Sequence, residues 1–247
     1  MQTAGKVFLI TGASAGIGAA LARLLSRQDA RLVLAARRRE LLQEVANDCP
    51  GETLVATADV TSPADRSRLV NAAVERWGRV DALVNNAGLG AYGPFLETGE
   101  AEWRRLFEVN LFAPMMLTRL VLPGMKTRGE GLILNVASIG GLVAHSDQVT
   151  AYVASKHALV GFSRGLARDL AGSGVRVKVA CPHLTDTDFF ASSAGAERMA
   201  PLMGGLRDFM DDPDTVAQGI VAGLTDDDLI VFPTPKPAKA WAKLRDV

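Results

Sequence analysis

The apolar run Val7-Phe8-Leu9-Ile10 breaks directly into Thr11-Gly12-Ala13-Ser14-Ala15-Gly16-Ile17-Gly18, and a helical repeat at Ile17, Leu21, Leu24 and Leu25 follows. A short run with no polar face is what a strand buried on both sides requires. Glycines let the chain turn tightly and let a ligand approach the backbone. The helix that follows presents an N-terminus, where free amides and the helix dipole attract an anion. Strand, glycine-rich turn and helix together make the arrangement that cradles a dinucleotide pyrophosphate. The spacing is G-x-x-x-G-x-G, not the commoner G-x-G-x-x-G. Gly12, Ser14, Gly16, Ile17 and Gly18 are therefore candidate cofactor contacts. The plain alternative is a glycine-rich turn that holds no ligand.

The rest of the chain repeats the alternation. Strand-like runs recur at 31–36, 53–56, 82–84, 132–136, 175–180 and 229–232. Helical patterns lie between them. One follows residue 39 and ends before Pro50-Gly51, and one begins at Ser62-Pro63 and runs to Trp77-Gly78. A long helix spans roughly 101–126, with Pro114 bending it, and others cover 152–170 and 213–224. Strands alternating with helices of this length predict an α/β fold, a Rossmann-type doubly wound parallel sheet of about seven strands with helices on both faces. With no internal repeat and no second boundary, residues 1–247 read as a single dinucleotide-binding domain. Within it, 186–212 carries Phe189, Phe190, Met199, Met203, Phe209 and Met210, read as a lid over an apolar pocket or as ordinary core. The tail, with Pro233, Pro235 and Pro237, reads as linker-like with one or two helical turns.

Composition excludes several classes. Lys+Arg and Asp+Glu both number 27, which gives no electrostatic footprint for nucleic acid. No continuous apolar run reaches the ~20 residues of a membrane span, so no membrane partner is expected. The start, Met1-Gln2-Thr3-Ala4-Gly5-Lys6, lacks a signal-peptide pattern. The two cysteines, Cys49 and Cys181, offer neither a metal-ligand spacing nor a disulfide framework. A reduced, cytoplasmic setting fits, with no metal.

The second strand carries a cofactor signal. A site for NAD usually places an acidic residue near its end, to bind the ribose 2′-hydroxyl. This chain has Ala36-Arg37-Arg38-Arg39 there. Arg37 suits a 2′-phosphate through charge-assisted hydrogen bonds, so NADP(H) is expected over NAD(H). In Tyr152-Val153-Ala154-Ser155-Lys156, a phenol and an ammonium lie four residues apart, on one face of a helix. A phenol titrates near ~10, and a neighbouring cation lowers that value. Taken alone, the pair reads first as a helix with one aromatic core residue and one exposed lysine; the chemical reading, a tyrosine tuned for proton transfer, needs support from the rest of the chain.

Together these residues resemble the short-chain dehydrogenase/reductase family over nearly the whole chain. Thr11-Gly12 through Gly16 and Gly18 is similar to its cofactor loop, and Asn85-Asn86-Ala87-Gly88 to its motif after the fourth strand. Asn110, Ser138, Tyr152 and Lys156 match its catalytic positions in order and approximate spacing. The resemblance implies Tyr152 as general acid or base on the substrate oxygen, with Ser138 holding that oxygen. Lys156 would bind the nicotinamide ribose and lower the Tyr152 pKa. Asn110 would support a water reaching Lys156. Asp59 and Val60 would flank the adenine, Asn86, Ala87 and Gly88 would lie along the cofactor, and Pro182, Thr185 and Thr187 would meet the nicotinamide end. It also implies a homodimer or homotetramer built on the helices around Asn110 and Tyr152.

Two departures stand out. His183 occupies a position where the family commonly has glycine, and the interval from Ser138 to Tyr152 is one residue longer than usual. The extra residue falls between Leu142 and Thr150, near His145, in a loop expected to border the substrate. The expected function is NADP(H)-dependent interconversion of an alcohol and a ketone or aldehyde, with a small, hydrophobic substrate. A non-catalytic NADP-binding sensor is the alternative, and a nucleotide-sugar epimerase a more distant one.

Overall fold

The strand β1 (Val7–Thr11) is buried at every residue, and its side chains alternate between two cores. Phe8 and Ile10 face one core, and Val7 and Leu9 face the other. This explains why its sequence shows no polar alternation. The computed structural model describes residues 2–144, 146–191 and 193–244. His145 and the side chains of Leu202 and Met203 lie outside the described residues.

Six further strands flank β1: β2 (Arg31–Ala36), β3 (Thr53–Thr57), β4 (Ala82–Asn85), β5 (Gly131–Val136), β6 (Val175–Ala180) and β7 (Ile230–Val231). They form one parallel sheet in the order β3-β2-β1-β4-β5-β6-β7. Leu9 pairs with Val33 on one side and Leu83 on the other. The strand order reverses between β1 and β4, so their C-terminal ends open a crevice there.

Helices cover both faces. The first core takes α1 (Gly16–Ser26), α2 (Arg39–Asn47) and α8 (Pro213–Ala222), through Leu21, Leu25, Leu42, Val216 and Ile220. The second takes α3 (Pro63–Trp77) and α5 (Ala113–Arg128), through Leu69, Leu117, Val121 and Met125. The ends of α3 follow from its sequence. Ser62 accepts from the Asp65 amide, Pro63 opens the first turn, and Gly78 closes the helix at φ 75°.

The long helix expected over 101–126 is interrupted. It divides into α4 (Glu100–Phe107), a π-helical turn at Glu108–Phe112, and α5. Pro114 lies at the start of α5, directly after the π turn. That turn carries Asn110, which is buried. By length and mean hydropathy, Glu100–Arg128 equals a membrane span. Its buried residues, Leu106, Ala113, Leu117, Val121 and Met125, nevertheless pack within the fold.

The remaining helices are α4's neighbour α6 (Thr150–Asp169), α7 (Ala196–Leu206) and α9 (Pro235–Leu244). The tail is thus a ten-residue helix, longer than the one or two turns expected. Pro235 and Pro237 sit in its first turn, where they remove no helical hydrogen bond.

A buried polar chain ties α6 to the sheet. Asn85 Nδ2 donates to Asn135 Oδ1 at 2.8 Å, and Asn135 Nδ2 to Ser163 Oγ at 2.9 Å. Such a chain fixes relative position because each partner left alone would be a buried, unsatisfied group.

Candidate active site

The crevice widens into a cavity of about 1040 Å³ along the C-terminal ends of the strands. Gly12, Ser14, Gly16 and Ile17 line it beside Arg37, Asp59, Val60, Asn86, Ala87 and Gly88. Ser138, Tyr152, Lys156, Pro182, Thr185 and Thr187 line its other end. Of the residues singled out in the sequence, Gly18 and Asn110 stand behind the wall.

The glycine-rich turn is fixed from below. Thr11 Oγ1 donates to the Val84 carbonyl and accepts from the amides of Asn86 and Ala87, both at 3.0 Å. Asn86 Nδ2 returns to the carbonyls of Thr11 and Gly12 at 2.9 and 3.2 Å. Gly12 has φ +66°, and a Cβ there would lie 2.9 Å from the Ala87 Cα. A Cβ on Gly18 would lie 2.4 Å from both the Gly12 carbonyl oxygen and Asn86 Nδ2. Gly18 therefore lets α1 close on the turn, and Asn86 braces it. The cap residue of α1, Ala15, offers no side-chain acceptor, so the first amides of the helix face the cavity uncapped. This cradle fits an anionic pyrophosphate.

At the outer end Arg37 and Arg38 line the cavity, and Arg38 Nη2 lies 3.5 Å from Ser14 Oγ. Arg38 escaped the sequence reading, which weighed only the first arginine of the run. Asp59 is partly buried, which by itself raises its pKa. Hydrogen bonds from the Thr61 amide and hydroxyl, at 2.9 and 2.7 Å, and the Arg37 charge outweigh this and hold the carboxyl below its usual range.

At the inner end, Ser138 follows β5, and α6 supplies Tyr152 and Lys156. The turn Ile139–Gly141 brings these elements together, since a Cβ on Gly141 would lie 2.8 Å from the Lys156 carbonyl oxygen. Ser138 Oγ accepts from the Gly140 amide at 3.1 Å, and the Ser138 side chain lies close enough to the Tyr152 phenol to lower its pKa. Lys156 Nζ lies 5.8 Å from the centroid of the Tyr152 ring and donates to the Val136 carbonyl at 3.0 Å.

Burial pushes the Tyr152 phenol up to about 12, against the lowering effect of Ser138. Burial also pushes the Lys156 ammonium down to about 8. Desolvation, rather than the cation, sets both directions in the protein alone.

Asn110 is held by three partners. Its Oδ1 accepts from the Leu89 amide at 2.8 Å; its Nδ2 donates to the Leu89 carbonyl at 2.9 Å and to Ser155 Oγ at 3.0 Å. A Cβ on Gly88 would lie 3.5 Å from both Asn110 Oδ1 and Lys156 Nζ, so glycine keeps the space between them open.

The substrate side is walled by Tyr92, Val149, Leu184, Phe189, Phe190, Met199 and Leu206. Phe189 packs 6.0 Å from the Tyr152 ring and edge-on to Phe190. Two expected lid residues stand elsewhere. Phe209 is 63% exposed and Met210 is buried, and neither lines the cavity. Among the described non-glycine residues, only Asp29 and Gln148 have positive φ. His183 thus lines the cavity without the left-handed backbone a glycine would allow. The longer loop borders the cavity as expected, through Ser146, Asp147 and Val149. The sequence reading missed Leu89–Tyr92 and Arg105, because nothing in their local pattern marks them as neighbours of α6 and α7.

Comparisons with known proteins agree with this geometry. Residues 6–198 match the family model described as short chain dehydrogenase. The 3-oxoacyl-(acyl-carrier-protein) reductase FabG of Vibrio cholerae is 32% identical over 220 residues, covering 89% of this chain and 90% of that protein. A short-chain dehydrogenase/reductase from Burkholderia phymatum, solved with NAD, superposes with a TM-score of 0.90 at 27% identity, over 98% of this chain and 93% of that one. A metagenomic short-chain oxidoreductase solved with NADP has a TM-score of 0.77 at 32% identity, over 94% and 98% of the two chains. The chain belongs to the short-chain dehydrogenase family.

Proposed function

We propose that this oxidoreductase interconverts an alcohol and a ketone or aldehyde, uses NADP(H) in preference to NAD(H), and takes a hydrophobic carbonyl substrate. The observation that carries the reading is one cavity with Arg37 and Arg38 at one end and Ser138, Tyr152 and Lys156 at the other. Residues 1–247 act as one dinucleotide-binding domain, with 186–212 as its substrate lid, in a cytoplasmic homodimer or homotetramer.

A bound nicotinamide supplies or accepts the hydride; the chain supplies position and the proton. Gly12, Ser14, Gly16 and Ile17 receive the pyrophosphate. Asp59 and Val60 flank the adenine, and Arg37 and Arg38 hold the 2′-phosphate. Lys156 holds ribose hydroxyls, and Pro182, Thr185 and Thr187 border the carboxamide. In reduction Ser138 orients the carbonyl oxygen, and the Tyr152 phenol donates its proton there. The phenol is protonated at neutral pH, as a phenol is in water, which is the form an acid needs. Asn110 holds the loop at Leu89 and keeps the approach to Lys156 open for proton exchange. Phe189, Phe190, Met199 and Leu206 give the apolar wall that favours hydrophobic substituents.

Arg37→Ala tests the cofactor choice. It should raise the NADPH dissociation constant by about tenfold or more, as loss of a charge-assisted hydrogen bond does, and leave NADH binding nearly unchanged. Equal weakening of the two cofactors would refute the 2′-phosphate role.

A further inference from the structure

Asp211 lies outside the cavity yet governs one of its walls. The lid leaves the sheet after β6 and returns at Asp211, where its two ends are stitched together. The Asp211 amide donates to the Leu184 carbonyl at 2.8 Å, and the Asp186 amide to the Asp211 carbonyl at 2.9 Å. These bonds make a parallel bridge between Thr185 and Asp211. Thr185, whose hydroxyl donates to the His183 carbonyl at 3.0 Å, is thereby fixed in the cavity wall.

The Asp211 carboxylate is buried, and both of its oxygens are taken by the C-terminal segment. Thr234 Oγ1 donates to Oδ2 at 2.7 Å, and Lys236 Nζ lies 2.9 Å from Oδ1. Lys236 also donates to the carbonyls of Phe209 and Met210 at 2.9 and 3.1 Å. It thus gathers the last residues of the lid onto the start of α9. That helix also packs against Ile139–Gly141, the turn beside Ser138. One short segment therefore touches both Asp211, which pairs with Thr185, and the turn that follows Ser138.

We propose that Asp211 is a positioning residue for hydride transfer. Latched by Thr234 and Lys236, it holds the Thr185 segment at the depth the nicotinamide end of the cofactor requires. The latch rests on the reading of the cavity as a dinucleotide site. Asp211 touches neither cofactor nor substrate. Its effect is confined to the nicotinamide end, because the Arg37 end is built from β1, β2 and the turn before α1.

The test compares binding of NADP⁺ with that of 2′-phospho-ADP-ribose, which lacks the nicotinamide, by calorimetry on the full chain. Asp211→Ala should weaken NADP⁺ by about tenfold, as loss of one or two hydrogen bonds' worth of alignment does, and leave the fragment within about twofold. Asp211→Asn, which keeps an acceptor for Thr234, should recover part of the loss. Lys236→Met alters a half-exposed side chain and should show the same selective loss, in smaller measure. Equal weakening of both ligands, or of neither, in Lys236→Met would overturn the latch while leaving the cofactor reading intact. A wild-type protein that binds neither ligand would overturn both.

Discussion

Lys156 shows what the site costs the fold. The side chain is buried, and its ammonium donates to the Val136 carbonyl at 3.0 Å. Its folded pKa, about 8, lies below the ordinary 10.5. Between those values the unfolded chain binds more protons than the folded one, so this residue makes stability rise with pH across that window. Below about 8 the penalty is constant. Lys156→Met should abolish this rise, and urea midpoints followed from pH 7 to 10.5 would show it; parallel curves for the two proteins would count against the burial argument. Helical spacing puts Tyr152 and Lys156 on one face, which made the pair legible, but its chemistry and the place of Ser138 came only from the family resemblance. The direction of their pKa shifts was not legible, because desolvation depends on what the rest of the fold packs around them. Asp211, Thr234 and Lys236 carry no local pattern at all and become neighbours only through the lid's return.

At the scale of elements, the strand and helix periods were sufficient to place β1 to β7, and the Ser62-Pro63 start of α3 was read directly. What failed had a common cause: several choices satisfied the same local pattern. The π turn at Glu108–Phe112 is set by the inward demand of Asn110, whose partners Leu89 and Ser155 are distant in sequence. Lys178, in a run that alternates apolar and basic residues, is 2% exposed and bonds the carbonyls of Asp226 and Asp228 and the Asp226 carboxylate. The proposed lid is strapped to the loop after β4: the Tyr92 amide donates to the Ala194 carbonyl at 2.9 Å, and Arg198 pairs with Glu97 at 2.8 Å. Gly195 permits the contact, with φ +77° and a would-be Cβ 1.7 Å from the Tyr92 carbonyl oxygen. Gly195→Ala must strain or release the strap. The expected result is a roughly tenfold rise in KM for the carbonyl substrate with the NADPH dissociation constant unchanged. A rise in both constants would place the strap in cofactor binding instead.

For the whole molecule, the position of the cavity follows from topology. A sheet whose order reverses between β1 and β4 places its crevice at their C-terminal ends, and the turn at Gly12 and the strand-end at Asn86 meet there. The proposed assembly belongs to this scale as well. On the stretch comprising the π turn and α5, Phe112 and Leu120 are 45% and 41% exposed, which leaves apolar surface on the helix pair that the oligomer would use. Sedimentation velocity should show a dimer or tetramer, and Leu120→Arg should shift it toward monomer; a monomeric wild type would contradict the assembly. The central claim is proton transfer by Tyr152 within an NADP(H) site. Its most direct test follows NADPH oxidation over a panel of hydrophobic ketones and aldehydes, with wild type and Tyr152→Phe side by side, and titrates NADPH binding to each by fluorescence. The wild type should turn over, the variant should lose about 10²-fold or more, and the two should bind NADPH with matching affinity. Turnover by Tyr152→Phe at the wild-type rate would contradict the claim.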